Sequence, residues 1–94
     1  MANFVEIDEA RRLLRLGGAA TLKEIKRAYR TLAHQHHPDT QGFDDSEETM
    51  KRLNWAYKLL MDYCNDYKYS FREKDVARTY PEEEYFRRYY HGWF

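Results

Sequence analysis

The amino-acid sequence predicts an all-α protein. Three segments place apolar residues three and four positions apart, the spacing of one helix face, and capping residues mark where two of these segments begin. We expect an antiparallel helical hairpin with a short first helix and a C-terminal helical, aromatic-rich extension. Ninety-four residues can bury one modest core. The expected organisation is a helical module over residues 1–64 and an extension over residues 65–94 that packs on this module.

The first helix is predicted by four apolar residues at helical spacing: Ile7, Ala10, Leu13 and Leu14. Arginines occupy the positions on its other side. We expect this helix to end at Gly17 and Gly18, because glycine readily adopts the backbone conformation that terminates helices.

The second helix is predicted to start at Leu22, after a capping box formed by Thr21 and Glu24. Its expected apolar stripe comprises Leu22, Ile25, Ala28, Tyr29, Leu32 and Ala33. Cations recur on the solvent side, at Lys23, Lys26, Arg27 and Arg30. Pro38 should end this helix, because proline disfavours helical geometry at the residue before it and has no amide hydrogen.

A third helix should begin at a cap formed by Asp45 or Ser46, beyond a polar connector. Its buried stripe is predicted to comprise Met50, Leu53, Ala56, Tyr57 and Leu60. Two helices of about 15 residues joined by a short loop should pack antiparallel, with the first helix covering the remaining apolar seam.

The extension holds ten of the sixteen aromatic residues. We expect an extended segment, then a short helix to about Thr79 capped by Ser70 and Glu73, and a final helix starting at Pro81. Two interpretations stay open for the final helix. We favour packing of its aromatic side chains onto the core, through Tyr85, Phe86, Tyr89 and Tyr90. The alternative is an exposed patch for a client, a partner or a second copy of the chain, formed by Tyr89, Tyr90, Trp93 and Phe94.

Composition limits the possible partners and location of the protein. Sixteen basic and sixteen acidic residues cancel, so the whole molecule has no general attraction to nucleic acid or to an anionic membrane. No stretch reaches the roughly 20 apolar residues of a membrane span, and the N-terminus lacks signal-peptide features. Cys64 is the lone cysteine and fits a reducing compartment. We expect a cytoplasmic monomer.

A basic helix followed by a short polar loop carries the strongest functional signal. The stretch Lys23-Glu24-Ile25-Lys26-Arg27-Ala28-Tyr29-Arg30-Thr31-Leu32-Ala33 leads into His36-His37-Pro38-Asp39, and another amphipathic helix follows. This arrangement resembles the J domain of the DnaJ co-chaperones over about residues 10–60. The resemblance implies a J-domain-like fold. It also marks Arg15 as a departure, because the family often places glycine there.

The resemblance implies that the protein acts on a partner. Members of this family bind a DnaK-type chaperone and stimulate its ATP hydrolysis, so the chain is expected to be a stand-alone co-chaperone. The implied triggering residues are His37, Pro38 and Asp39. The implied docking residues on the preceding helix are Lys26, Arg27, Tyr29 and Arg30.

The basic second helix and the histidines around the loop are also compatible with other functions. The alternative is a non-chaperone interaction module, an adaptor or a nucleic-acid binder using the basic second helix. We expect no metal site, because His34, His36, His37 and Asp39 lack a second ligand pair to complete one. We also expect no cofactor and no enzymatic activity, since the chain has neither a glycine-rich phosphate loop nor a nucleophile with an evident base.

Overall fold

The computed structural model describes residues 2–36 and 45–82, and within these ranges it contains four helices and no strand. The helices are α1 (Phe4–Leu13), α2 (Leu22–Gln35), α3 (Asp45–Asp66) and α4 (Glu73–Thr79). The all-α prediction is confirmed. Pro81 and Glu82 are helical, as expected for the start of a final helix, and the other residues predicted for that helix lie outside the described residues.

Helix α1 ends earlier than the sequence suggested. Its start is capped by Asn3, whose Oδ1 accepts a hydrogen bond from the Glu6 amide at 2.9 Å. Its end lies at Leu13, and Arg15 takes the left-handed backbone conformation, with φ of 57°. The expected termination at Gly17 and Gly18 was therefore wrong, because a non-glycine residue makes the turn before the glycines are reached.

The capping box predicted for α2 is present. The Thr21 hydroxyl oxygen accepts from the Glu24 amide at 3.1 Å, and the Glu24 carboxylate accepts from the Thr21 amide at 2.9 Å. At the other end, the His36 amide donates to the Leu32 carbonyl oxygen at 3.0 Å. Pro38, the residue expected to stop this helix, lies outside the described residues.

The backbone of α3 lies close to those of both α1 and α2, whereas in the described part of the chain no Cα atom of α1 lies within 8 Å of one in α2. At 22 residues, α3 is longer than expected. One buried cluster joins the three helices: Ala10, Leu14, Ile25, Leu32, Leu53, Ala56 and Leu60. The predicted stripe of α3 is confirmed, while Leu22 of the α2 stripe remains 40% exposed.

Helix α4 forms as expected but not by the expected cap. Its N-cap is Arg72, which makes no side-chain capping bond. Ser70 was the predicted cap. Its hydroxyl instead donates to the Asp75 carboxylate and accepts from the Arg72 amide at 3.3 Å. Helix α4 buries no residue, and Phe71 just before it is 89% exposed. The aromatic residues expected to pack back on the core, from Tyr85 onward, lie outside the described residues.

Candidate functional site

The solvent side of α2 forms a cationic face. Its four cations, Lys23, Lys26, Arg27 and Arg30, are all exposed. None of them forms an ion pair with another described residue. The arginines of α1 differ, because Arg11 and Arg12 both bind the Asp8 carboxylate, at 2.8 and 2.6 Å. As far as the described residues are concerned, the α2 cations are available to an external anionic surface.

This cationic face of α2 is held in place by its opposite side. Ile25 and Leu32 are each 5% exposed and belong to the core cluster. Tyr29 lies between them, stacked on Tyr57 of α3 with 4.3 Å between ring centroids and 16° between planes. Its hydroxyl donates to Asn54 Oδ1 at 2.5 Å. These contacts fix both the position of α2 on α3 and the direction in which its cations project.

Tyr29 is a predicted docking residue that the structure places on the inner edge of α2. The ring is half-buried, and its contacts are with α3. Asn54, its hydrogen-bonding partner, was not singled out by the sequence. The available signal is its position next to Leu53 and three residues before Tyr57, at the margin of the apolar stripe of α3.

One carboxylate lies within the cationic face. Glu24 accepts a hydrogen bond from the Thr21 amide, and this bond lowers the pKa of the Glu24 carboxyl below its usual 4.5, with a second contribution from the Thr21 side chain. The carboxylate therefore stays charged at neutral pH and caps the helix start. Further along α2, three cations remain without an intervening acid: Lys26, Arg27 and Arg30.

The described chain reaches the edge of the His-Pro-Asp loop. His34 is exposed on the last turn of α2, and His36 is half-buried at its cap. His37, Pro38 and Asp39 lie outside the described residues. No group of potential metal ligands occurs among the residues that the structure does describe. Within the same ranges, no helix combines the length and the apolar character that crossing a membrane requires.

Comparisons with known proteins match this same region. A family model for the DnaJ domain covers residues 12–69. Chaperone protein DnaJ 2 of Thermus thermophilus is 51% identical over 43 residues, which are 46% of this chain and 15% of that protein. Chaperone protein DnaJ of Caldicellulosiruptor saccharolyticus is 54% identical over 44 residues, 46% of this chain and 11% of that protein. Chaperone protein DnaJ of Mycoplasmopsis pulmonis is 45% identical over 49 residues, which are 52% of this chain and 13% of that protein. No solved structure matches the chain.

The matched region is a small part of each of these relatives. This chain spans less than a sixth of their length. Within this chain, however, the family model covers more than half of the residues, from α1 through α2 and α3 to Tyr69. The likeness to the J domain expected from the basic helix and its loop is thereby confirmed, and the chain belongs to the DnaJ domain family.

Proposed function

We propose that this protein is a co-chaperone that binds a DnaK-type chaperone and stimulates its ATP hydrolysis. The observation that carries the proposal is the row of exposed cations on α2, unpaired among the described residues, which leads directly to the sequence His37-Pro38-Asp39. The chain would act on its partner's catalytic centre and have none of its own. Membership of the DnaJ domain family and likeness to DnaJ chaperones support this role.

Docking would use the cationic face of α2. Lys26, Arg27 and Arg30 project from a helix whose other side is locked to α3, so their relative positions are set before any partner arrives. Such preorganisation reduces the ordering cost of binding. Long-range attraction to an acidic surface would raise the association rate, and salt would screen it. Tyr29 would contribute by fixing the helix and offering the exposed part of its ring.

Triggering would use the loop that follows α2. Proline restricts the backbone between His37 and Asp39, so the two polar side chains keep a narrow range of relative positions. A carboxylate held in this way can form a directional, charge-assisted pair with an arginine of the partner. We therefore assign docking to α2 and the switching contact to the loop.

The first prediction concerns the loop. His37→Gln and Asp39→Asn should each abolish stimulation of single-turnover ATP hydrolysis by a DnaK-type chaperone, because each removes a polar contact at the trigger. Helical content and melting temperature should match the parent. Glu48→Gln, a comparable change at an exposed carboxylate on α3, should stimulate normally. Full stimulation by both loop variants would rule out the loop as the trigger.

The second prediction concerns docking. Arg30→Ala should raise the concentration needed for half-maximal stimulation several-fold, because one charge of a multi-cation contact is lost. Added salt should likewise raise the concentration of the parent protein needed for half-maximal stimulation. Lys58→Ala removes an exposed cation from α3 and serves as the matched control. Stimulation that is insensitive to salt would contradict electrostatic docking.

The same samples test the alternative of a non-chaperone module. Binding of duplex or single-stranded nucleic acid with a steep salt dependence, together with no effect on the chaperone, would favour a nucleic-acid binder. We further propose that residues 1–64 are the functional module and residues 65–94 its extension, acting in the cytoplasm. Helix α3 runs two residues past that boundary, to Asp66.

A further inference from the structure

An open groove of about 1160 Å³ lies between the beginning of α1 and the end of α3. Glu6 lines it from α1, and Asp62, Tyr63 and Asp66 line it from α3, with Tyr67 and Lys68 at its far side. No residue of α2 contributes. The groove is therefore distinct from the cationic face proposed to dock the chaperone.

The groove is acidic, and its acids are uncompensated. Glu6, Asp62 and Asp66 form no ion pair with any described residue, and Lys68 is the one cation among the lining residues. The last turn of α3 contains no basic residue. A helix C-terminus already carries partial negative charge, so the two aspartates add to the local potential. This end of the molecule favours a positively charged occupant.

Aromatic rings line the same groove. Tyr63 and Tyr67 both line it and meet edge to face with 5.9 Å between centroids, and Tyr69, just beyond the lining residues, lies another 5.9 Å from Tyr67. The three rings are 49%, 56% and 65% exposed. Ring faces beside carboxylates attract guanidinium groups and further aromatic rings. The matching occupant is a segment that combines arginine with aromatic residues.

We propose that this groove binds the chain's own C-terminal segment, residues 85–94, through Arg87 and Arg88 and the tyrosines that follow them. The sequence Phe86-Arg87-Arg88-Tyr89-Tyr90 has the required composition. Its two arginines balance the excess of three carboxylates over one lysine in the groove. The acidic residues Glu83 and Glu84 precede this segment.

The short separation along the chain between the groove and this segment favours binding of the segment over capture of a separate molecule. The described chain ends at Glu82, fourteen residues after Lys68 on the groove edge. Arg87 and Arg88 follow five and six residues later, a stretch that spans up to about 20 Å when extended. Tethering raises the effective concentration of the segment at the groove to roughly the millimolar range. Weak individual contacts then suffice for occupancy.

Paramagnetic broadening in the full-length chain tests the proposal. A nitroxide is attached at Asn65→Cys on the groove, in a Cys64→Ala background. The indole N–H resonance of Trp93 should lose most of its intensity relative to the reduced label. Trp55, fixed on α3, is the internal reference. Arg87→Glu with Arg88→Glu should restore the Trp93 signal, and adding Asp62→Lys with Asp66→Lys to that chain should broaden it again.

The label-free chain provides a second measurement. Amides from Tyr63 to Tyr67 should exchange hydrogen faster in the variant that carries Arg87→Glu with Arg88→Glu. The control is Arg72→Glu with Arg78→Glu, which makes the same charge change outside the groove and should leave this exchange unaltered. The proposal would be overturned if the Trp93 indole resonance kept its intensity in the spin-labelled chain and amide exchange from Tyr63 to Tyr67 did not respond to the tail substitutions. Broadening seen only when spin-labelled and isotope-labelled chains are mixed would also overturn it, since that outcome identifies a second copy as the occupant. Chaperone stimulation is not read in either experiment, so the proposed function stands or falls separately.

Discussion

At the scale of single residues, Arg15 ends α1 in a conformation that L-residues rarely adopt. With φ of 57°, its amide donates to the Arg12 carbonyl oxygen at 2.9 Å, and the Leu16 amide reaches back to the Arg11 carbonyl oxygen at 3.0 Å. This is a Schellman motif, which usually has glycine at the left-handed position. The Arg11 side chain adds a bond to the Leu16 carbonyl oxygen at 2.9 Å. The turn is thus well bonded despite the unfavourable residue.

Arg15→Gly should stabilise the protein by about 1 kcal/mol, because glycine removes the steric cost of the left-handed conformation. Urea denaturation followed by circular dichroism measures the change in the free energy of unfolding. Arg15→Ala is the control, since it deletes the charge but keeps the Cβ atom. An equal gain from alanine would show that charge, not backbone strain, sets the effect.

Single residues also show where sequence reasoning about the site succeeds and where it stops. The exposure of the α2 cations followed from spacing alone, because helical periodicity is local. The contact between Tyr29 and Asn54 did not, because the two residues are 25 positions apart. The sequence placed Tyr29 on the apolar stripe of α2 but could not identify its partner on α3. The positions of His37, Pro38 and Asp39 stay predictions.

At the scale of elements, capping residues predicted the start of α2 but not that of α4. The α2 start was correct because both partners of its capping box lie within four residues. The same reasoning gave the wrong cap for α4, where the Ser70 hydroxyl bonds Asp75 and Arg72 becomes the N-cap. Serine can hydrogen-bond several nearby groups, and the sequence does not reveal which one it selects.

The capping box should make α2 stability depend on pH. The pKa of Glu24 is lowered in the folded protein, so its stabilising contribution is present above the usual value of 4.5 and is lost as pH falls through the folded value. The stability difference between the parent and Glu24→Gln should therefore narrow on acidification below that point. Denaturant titrations of both proteins, at neutral pH and at pH values below 4.5, measure this difference in the free energy of unfolding. Asp8, whose pKa is lowered mainly by its hydrogen bond with Arg11, titrates in both chains and cancels in the difference.

A stability difference that stays constant through acidification would contradict this assignment. It would mean that ionisation of the Glu24 carboxyl does not contribute to the stability of the cap. Thr21→Val then isolates the other half of the capping box, because valine keeps the branched shape and lacks the accepting oxygen.

At the scale of the whole molecule, α3 is the element on which the fold depends. Leu53, Ala56 and Leu60 of α3 are at most 5% exposed, and they share one cluster with buried residues of α1 and α2. The sequence predicted this stripe and its pairing with α2, because both follow from periodicity. It did not predict the full length of α3, which continues through Asp66 beyond its last buried leucine.

Leu53→Ala should lower the free energy of unfolding by about 2–5 kcal/mol, because it leaves a cavity where three helices meet. A loss of this size is a large share of the total stability of a small domain. Urea denaturation monitored at 222 nm would show the midpoint moving to lower denaturant. Lys58→Ala, an exposed change on the same helix, should leave the midpoint within error. Similar midpoints for the two variants would contradict a shared core at Leu53.

The central position of α3 has a consequence for synthesis on the ribosome. Helices α1 and α2 are made first, yet the described backbones of both pack closely on α3 and not on each other, so neither has its main packing partner until α3 follows. Isolated helices of 10 and 14 residues are marginal in water. The nascent chain therefore gains little tertiary structure until the codons for α3 have been translated and this helix has left the exit tunnel, when all three helices can associate together.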